Sequence, residues 1–181
     1  MLLKKDGNVV VRKFCAQDIE NKVKWINDPN NNKYLHYDLP LEYKKTMEWF
    51  DKIKDSECRI DAVIEYENNP VGLIGLLSID SKNKKAEYYI CIGEQEAKGR
   101  GIAKKASMLM LDYAFNNLSL NRVYLYTEQE NVSAQKLFEK LGFKKEGLIE
   151  HDLVYNGRIV NRYLYGILKE VYENEHCYSN K

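Results

Sequence analysis

Two adjacent segments, Ala86-Glu-Tyr-Tyr-Ile-Cys-Ile92 and Lys98-Gly99-Arg100-Gly101-Ile102-Ala103, decide how the rest of this 181-residue chain is read. The first is β-branched and aromatic, the signature of a strand. Behind the second, Ile102, Ala106, Met110 and Tyr113 recur at helical spacing, which predicts a helix from Ile102 to Asn116. A glycine-rich turn that opens a helix gathers unpaired backbone N–H groups at the positive end of the helix dipole. Such a turn receives phosphate, and Lys98, Arg100, Lys104 and Lys105 add positive charge around it. The first expectation is therefore a bound pyrophosphate. Two nucleotide fingerprints share this grammar. A P-loop needs Lys-Ser/Thr after its last glycine, and here Ile102-Ala103 follows Gly101. A dinucleotide fingerprint needs a third glycine where Lys104 stands, although an acidic residue, Glu128, does follow at a suitable distance.

Downstream run Arg122-Val-Tyr-Leu-Tyr-Thr127, then Asn131-Val-Ser-Ala134, then Leu137-Phe138-Glu-Lys-Leu-Gly-Phe143. These read as a strand, a capped short helix and a glycine stop. The order strand, KGRGIA, helix, strand, N-x-x-A, helix, LGF resembles the GNAT superfamily of N-acetyltransferases. More narrowly, the W-x-N-D-P opening at Trp25–Pro29 and the Ala86-Glu87 pair resemble the branch with ribosomal-protein N-terminal, spermidine and nucleotide-amino-sugar acetyltransferases. The resemblance implies acetyl-CoA as cosubstrate. It implies that Lys98, Gly99, Arg100, Gly101, Ile102 and Ala103 hold the pyrophosphate, Lys98 replacing the family's usual Gln or Arg. It also implies that Asn131, Ser133, Ala134 and Phe138 lie along the pantetheine arm. Backbone N–H groups around Ile90, Cys91 and Ile92 are the implied donors to the pantetheine and the thioester oxygen, on a strand that the resemblance implies splays from its neighbour to admit acetyl-CoA. The implied fold is α/β (α+β): one GNAT-like domain over residues 1–181, with a twisted, mainly antiparallel mixed sheet flanked by helices.

Outward from this block, Val9–Phe14 reads as a first strand, Asp18–Ile26 as a helix ended by a loop at Asp28-Pro29, and Leu41–Lys54 as a second helix. Arg59–Tyr66 and Val71–Ile79 form a hairpin, and Asn156-Gly157 marks another. The polar tail beyond about residue 171 is expected to fray. Lys and Arg number 28 against 27 Asp and Glu, which leaves no net field for nucleic acid or membrane. The N-terminus lacks the apolar core of a signal peptide, and the cysteines and histidines show no metal spacing. A cytoplasmic protein is expected, acting on a small-molecule amine, alone or as a homodimer, with no metal.

Acyl transfer to an amine requires a neutral nucleophile, and an alkyl ammonium of pKa ~10 is neutral only about one time in a thousand at pH 7. A nearby carboxylate relieves this. Glu87, on the strand that leads into the glycine loop, is the candidate base, against the alternative of a solvated strand residue. Cys91 has no histidine placed by sequence to activate it and reads as a packed strand residue. Phe138 departs from the family, which usually carries a tyrosine there as the acid for the leaving thiolate. The acid stays unassigned among Ser133, water and the amides of the Asn131 helix. The acceptor pocket is expected from Trp25-Ile-Asn27-Asp-Pro29 through Tyr34-Leu-His36-Tyr37-Asp-Leu-Pro40, with Trp25, Asn27, His36 and Tyr37 as contacts. That loop is a poor trap for a polycation and suits an amino sugar. Protein N-terminal acetylation, a CoA-binding domain without turnover and a nicotinamide-nucleotide enzyme stand as alternatives.

Overall fold

The computed structural model describes residues 1–176. Eight strands form one sheet in the order β1-β2-β3-β4-β5-β6-β8-β7. They are β1 (Leu2–Asp6), β2 (Val9–Lys13), β3 (Ile60–Tyr66), β4 (Asn69–Asp80), β5 (Lys85–Ile92), β6 (Arg122–Glu128), β7 (Lys144–Tyr155) and β8 (Arg158–Leu168). Every neighbouring pair is antiparallel except β5–β6. The helices are α1 (Ile19–Asn27), α2 (Pro29–Asn32), α3 (Tyr43–Ile53), α4 (Ile102–Asp112), α5 (Val132–Glu139) and α6 (Lys169–His176).

Strand alternation divides the core in two. On β3, Ala62 and Ile64 face the larger core with Ile102, Ala106, Met110 and Phe115 of the α4 region, while Val63 faces the smaller core with Ile19, Trp25 and Ile26 of α1. With helices on both faces, the central strands read as near-continuous apolar runs.

Three expectations change. An extra strand, β1, precedes Val9: Leu2-Leu-Lys-Lys-Asp has little strand propensity, but pairing with β2 across a turn at Gly7 (φ 55°) holds it extended. The expected loop at Asp28-Pro29 begins with a helical turn, α2, because Asp28 accepts from the Asn30 N–H (2.9 Å) and proline occupies the first position. The tail expected to fray from about residue 171 instead continues as α6, where buried Tyr172 packs on Phe115 (centroids 5.2 Å apart). Residues 177–181, with Cys177, lie outside the described residues.

Candidate active site

The parallel strands β5 and β6 stay together for only three residue pairs, Lys85↔Arg122, Ala86↔Val123 and Glu87↔Tyr124. β5 then runs on to Ile92 still paired to β4, while β6 runs to Glu128 paired to β8. A wedge opens between them, and Glu87 stands at its apex. From Tyr88 to Ile92 the β6-facing edge of β5 has no strand partner. Its alternating N–H and C=O groups, which include those around Ile90, Cys91 and Ile92, remain for a guest. A glycine at position 72 of β4 keeps this part of the sheet tight, since a Cβ there would fall 2.4 Å from the Cys91 carbonyl oxygen.

The glycine loop lies beyond the open end of β5. Gly99 (φ 74°) and Gly101 (φ 76°) both adopt the left-handed conformation that glycine alone takes without strain. Gly101 is the N-cap of α4, and no side chain caps that end. The first-turn amides, from Ile102 and Ala103 onward, thus stay available at the positive end of an eleven-residue helix. The surrounding cations are not equally free. Lys98 donates to Asn31 Oδ1 (2.6 Å), the Arg100 guanidinium rests on the Tyr66 ring (4.7 Å), and Lys105 is 3.8 Å from Asp6. Lys104 has no such partner among the described residues. The backbone therefore provides the cradle, and the side chains form its rim.

Across the wedge, Asn131 caps α5 by accepting from the Ala134 N–H (3.2 Å). Its side-chain oxygen is thereby occupied and its amide NH2 left over. Ser133 is exposed in the same turn, with neither its hydroxyl nor its N–H bonded among the described residues. Phe138 is buried on the α4–α5 side of the sheet, enclosed by Tyr88, Phe143 and Tyr165 with centroids 6.0–6.3 Å away.

The opposite face carries a group of ionisable side chains. Glu87 is half-buried and makes no hydrogen bond or ion pair among the described residues. Burial raises its carboxyl above the ordinary value, Arg162 pulls it back down, and Asp152 adds to the rise. Three other carboxylates on this face are engaged. Asp61 takes a bidentate pair from Arg59 (2.7 and 2.9 Å) and a hydrogen bond from the Tyr89 hydroxyl (2.8 Å). Asp152 is paired with Arg162. Glu128 accepts from Arg158 (3.0 Å) and contacts His36 Nε2 (2.9 Å). Burial pushes the Cys91 thiol up to about 11, so it stays protonated and unreactive at neutral pH.

The four residues expected to touch the acceptor separate into two roles. Trp25 is a correction: it is buried in the smaller core, its indole N–H donating to Glu94 (2.7 Å) and its ring filling the space where Gly93 lacks a Cβ. Asn27 exchanges two hydrogen bonds with the backbone of Leu41 (2.9 and 2.7 Å), closing the loop between α2 and α3. His36 lies against Glu128, while the Tyr37 ring packs on the smaller core with Lys22 Nζ 5.6 Å over it. The Tyr155 hydroxyl from the β7–β8 hairpin donates to the Tyr37 carbonyl (2.8 Å), and the His36 and Tyr155 rings meet edge-on. Sequence reasoning missed this cluster around Glu128, because its members stand 92 and 30 positions from it. Arg158 at the Asn156-Gly157 turn was the only local signal.

Residues 8–144 match the acetyltransferase (GNAT) domain family. The chain belongs to this family. It is 31% identical over 150 residues to a spermidine N(1)-acetyltransferase of Escherichia coli K12, covering 81% of this chain and 80% of that protein. A ribosomal N-acetyltransferase-like protein of Bacillus subtilis is 34% identical over 118 residues, covering 64% of this chain and 63% of that protein. The spermidine N-acetyltransferase of Vibrio cholerae, solved with CoA and spermine, superposes with a TM-score of 0.85 at 27% identity, covering 92% of this chain and 99% of that one. This GNAT protein is thus an acetyl-CoA-dependent N-acetyltransferase that acetylates a primary amine of a small molecule. We propose below that the wedge and glycine cradle form the coenzyme side of that reaction and the Glu87 face the amine side. The nicotinamide-nucleotide alternative fails: Glu128, its ribose-binding candidate, is buried and held by Arg158 and His36. Among the described residues no helix is long and apolar enough to cross a membrane.

Proposed function

We propose that Glu87 is the general base of this acetyltransferase and that its acceptor carries a single reactive amine on a neutral or anionic polar body, as an amino sugar does. The observation that carries this reading is the charge pairing on the amine face. Of the four carboxylates Asp61, Glu87, Glu128 and Asp152, only Glu87 lacks an internal cation. One free carboxylate serves one ammonium; a polyamine needs further carboxylates for its other charges. The acetyl thioester would sit in the wedge with its oxygen on the β5 edge. Glu87, directly or through water, would take the ammonium proton, and the neutral amine would attack. His36 and Tyr37 would contact the acceptor from the α2–α3 loop. Free thiols at Cys15, Cys58 and Cys91 support a cytoplasmic setting.

A polyamine acceptor is the second reading, favoured by the likeness to the spermidine acetyltransferases. Thiol release from acetyl-CoA with glucosamine, a nucleotide-linked amino sugar, spermidine and a peptide with a free N-terminus separates the cases. The amino sugars are expected to give the highest kcat/KM. Spermidine as the best substrate would overturn the acceptor assignment, and the peptide as best would place the enzyme with protein N-terminal acetyltransferases.

A further inference from the structure

We infer that Asp152 is a positioning residue: by holding the Arg162 guanidinium, it keeps that cation off Glu87 and leaves the base open to the incoming amine. The inference rests on Glu87 being the base.

The geometry runs strand by strand across the amine face. Glu87 stands opposite Tyr124 in the last β5–β6 pair. The Tyr124 ring meets the Tyr126 ring edge-on at 5.9 Å, and the Arg162 guanidinium lies 4.6 Å over the Tyr126 ring. A cation on a long, flexible stem is therefore separated from an unpaired carboxylate by two aromatic rings, close enough to act on its charge. The partner that holds it is Asp152 on β7.

Asp152 reaches that place through a backbone irregularity. Counted outward from the Asn156-Gly157 turn, a regular hairpin would set His151 opposite Arg162. Instead the register breaks between Ile149 and Leu153, and Ile149 takes that position. His151 adopts φ 52°, unfavourable for a residue with a Cβ, and its N–H is held by Asn161 Oδ1 (2.8 Å). Bulges of this kind re-aim side chains beside active sites, and here the bulge carries Asp152 onto the Arg162 guanidinium. Without Asp152, three other carboxylates stand on the guanidinium's face, and Asp61 already serves Arg59. Glu128 already serves Arg158 and His36, so Glu87 is the vacant one. The charged and titratable groups around Glu87 are Tyr124 from β6, Arg162 from β8 and Asp152 from β7, and their signs agree: Arg162 lowers its proton affinity and Asp152 raises it.

The test compares Asp152→Ala, Arg162→Ala and the double variant in the full chain, with acetyl-CoA affinity as the check on folding. Carbon-13 NMR follows the Glu87 carboxyl, assigned with Glu87→Gln, and thiol release with glucosamine and spermidine follows the rate. In Asp152→Ala the freed guanidinium should pair with Glu87, so the carboxyl titrates at lower pH and kcat at pH 7 falls by about tenfold or more. The double variant should regain most of that rate, since no cation remains to swing. A merely structural Asp152 would leave the double variant as slow as the single one, and that result overturns the inference. So does an unchanged Glu87 titration in Asp152→Ala. Should Asp152→Ala not fold, Asp152→Asn keeps a hydrogen bond without the charge and should shift the titration the same way, less far. If Glu87→Gln keeps the full rate, the base assignment falls, while the titration still decides whether Asp152 restrains Arg162.

Discussion

Replacing Glu87 with glutamine tests the chemistry directly, and the structure sets its size. The side chain has no hydrogen-bond or ion-pair partner among the described residues, so Gln removes charge and basicity while keeping shape. Stability should not fall, because a half-buried carboxylate without a cation gains nothing from its charge. An alkyl ammonium of pKa ~10 costs about 4 kcal/mol to neutralise at pH 7, and an amino sugar less, because its neighbouring oxygens lower that pKa. A positioned base recovers part of this, worth roughly 10²–10⁴ in rate for the alkyl amine. Thiol release at saturating acetyl-CoA should therefore drop by that factor at pH 7. At pH 9 about a tenth of the amine is already neutral, so the deficit should shrink by up to about a hundredfold. Acetyl-CoA affinity should be unchanged, because the cradle lies beyond the far end of β5. A loss below about tenfold with chemistry rate-limiting, or the same loss at both pH values, would refute the assignment.

Gly101→Val should abolish most of the thermal shift produced by acetyl-CoA while the protein still folds: no protein atom lies within 4 Å of the added Cβ, and the strain at φ 76° is only about 1–2 kcal/mol. Unchanged coenzyme affinity would remove the loop from the site. Lys22 lies buried 3.5 Å over the Trp49 ring, and burial pushes its pKa down to about 8 from 10.5. The sign follows from linkage: the charge penalises folding fully below pH 8, and the penalty is relieved as pH rises toward 10.5. Lys22→Met should therefore stabilise the fold at pH 7 by on the order of 1–3 kcal/mol, about 2–4 °C per kcal/mol, with the gain fading by pH 10. A lower Tm at pH 7 would show that the Trp49 contact outweighs desolvation. Phe138→Tyr should change kcat by less than about threefold; a gain above tenfold would show that thiolate departure limits the reaction.

Sequence legibility followed the range of the interactions. The cradle was readable because backbone amides, not side-chain partners, make it, and two glycines before a helical period are a local signal. The splayed strands followed from the family resemblance, since no local pattern says where two parallel strands part. β1 was not readable, because its extension is imposed by β2 across the Gly7 turn. The amine face was the least legible part. His36 and Glu128 are 92 positions apart, and Asp152 meets Arg162 only because a bulge breaks the alternation that a reader would count from Asn156-Gly157. Trp25 misled for the opposite reason. An aromatic beside a loop suits a substrate as well as a core, and only Gly93, which leaves its ring room to bury, decides between them.

The phenylalanine at position 138 fits the distribution of protons across the two faces. Its ring is enclosed by Tyr88, Phe143 and Tyr165. Neither neighbouring hydroxyl is set to donate to a departing sulfur: Tyr88 is bound to Ser107 (2.6 Å), Tyr165 donates to Glu139 (3.0 Å), and burial raises the pKa of both. At the first turn of α5, Asn131 and Ala134 are occupied with each other, which leaves the hydroxyl and N–H of Ser133 as donors beside solvent. A thiol of pKa near 8.5 leaves as a thiolate with little help, whereas an ammonium of pKa ~10 attacks only once its proton is gone. The demanding proton transfer is therefore the one at the amine. Consistent with that, Glu87 on the proposed amine face has no ion pair among the described residues, and the proposed coenzyme face carries phenylalanine where a phenol could stand.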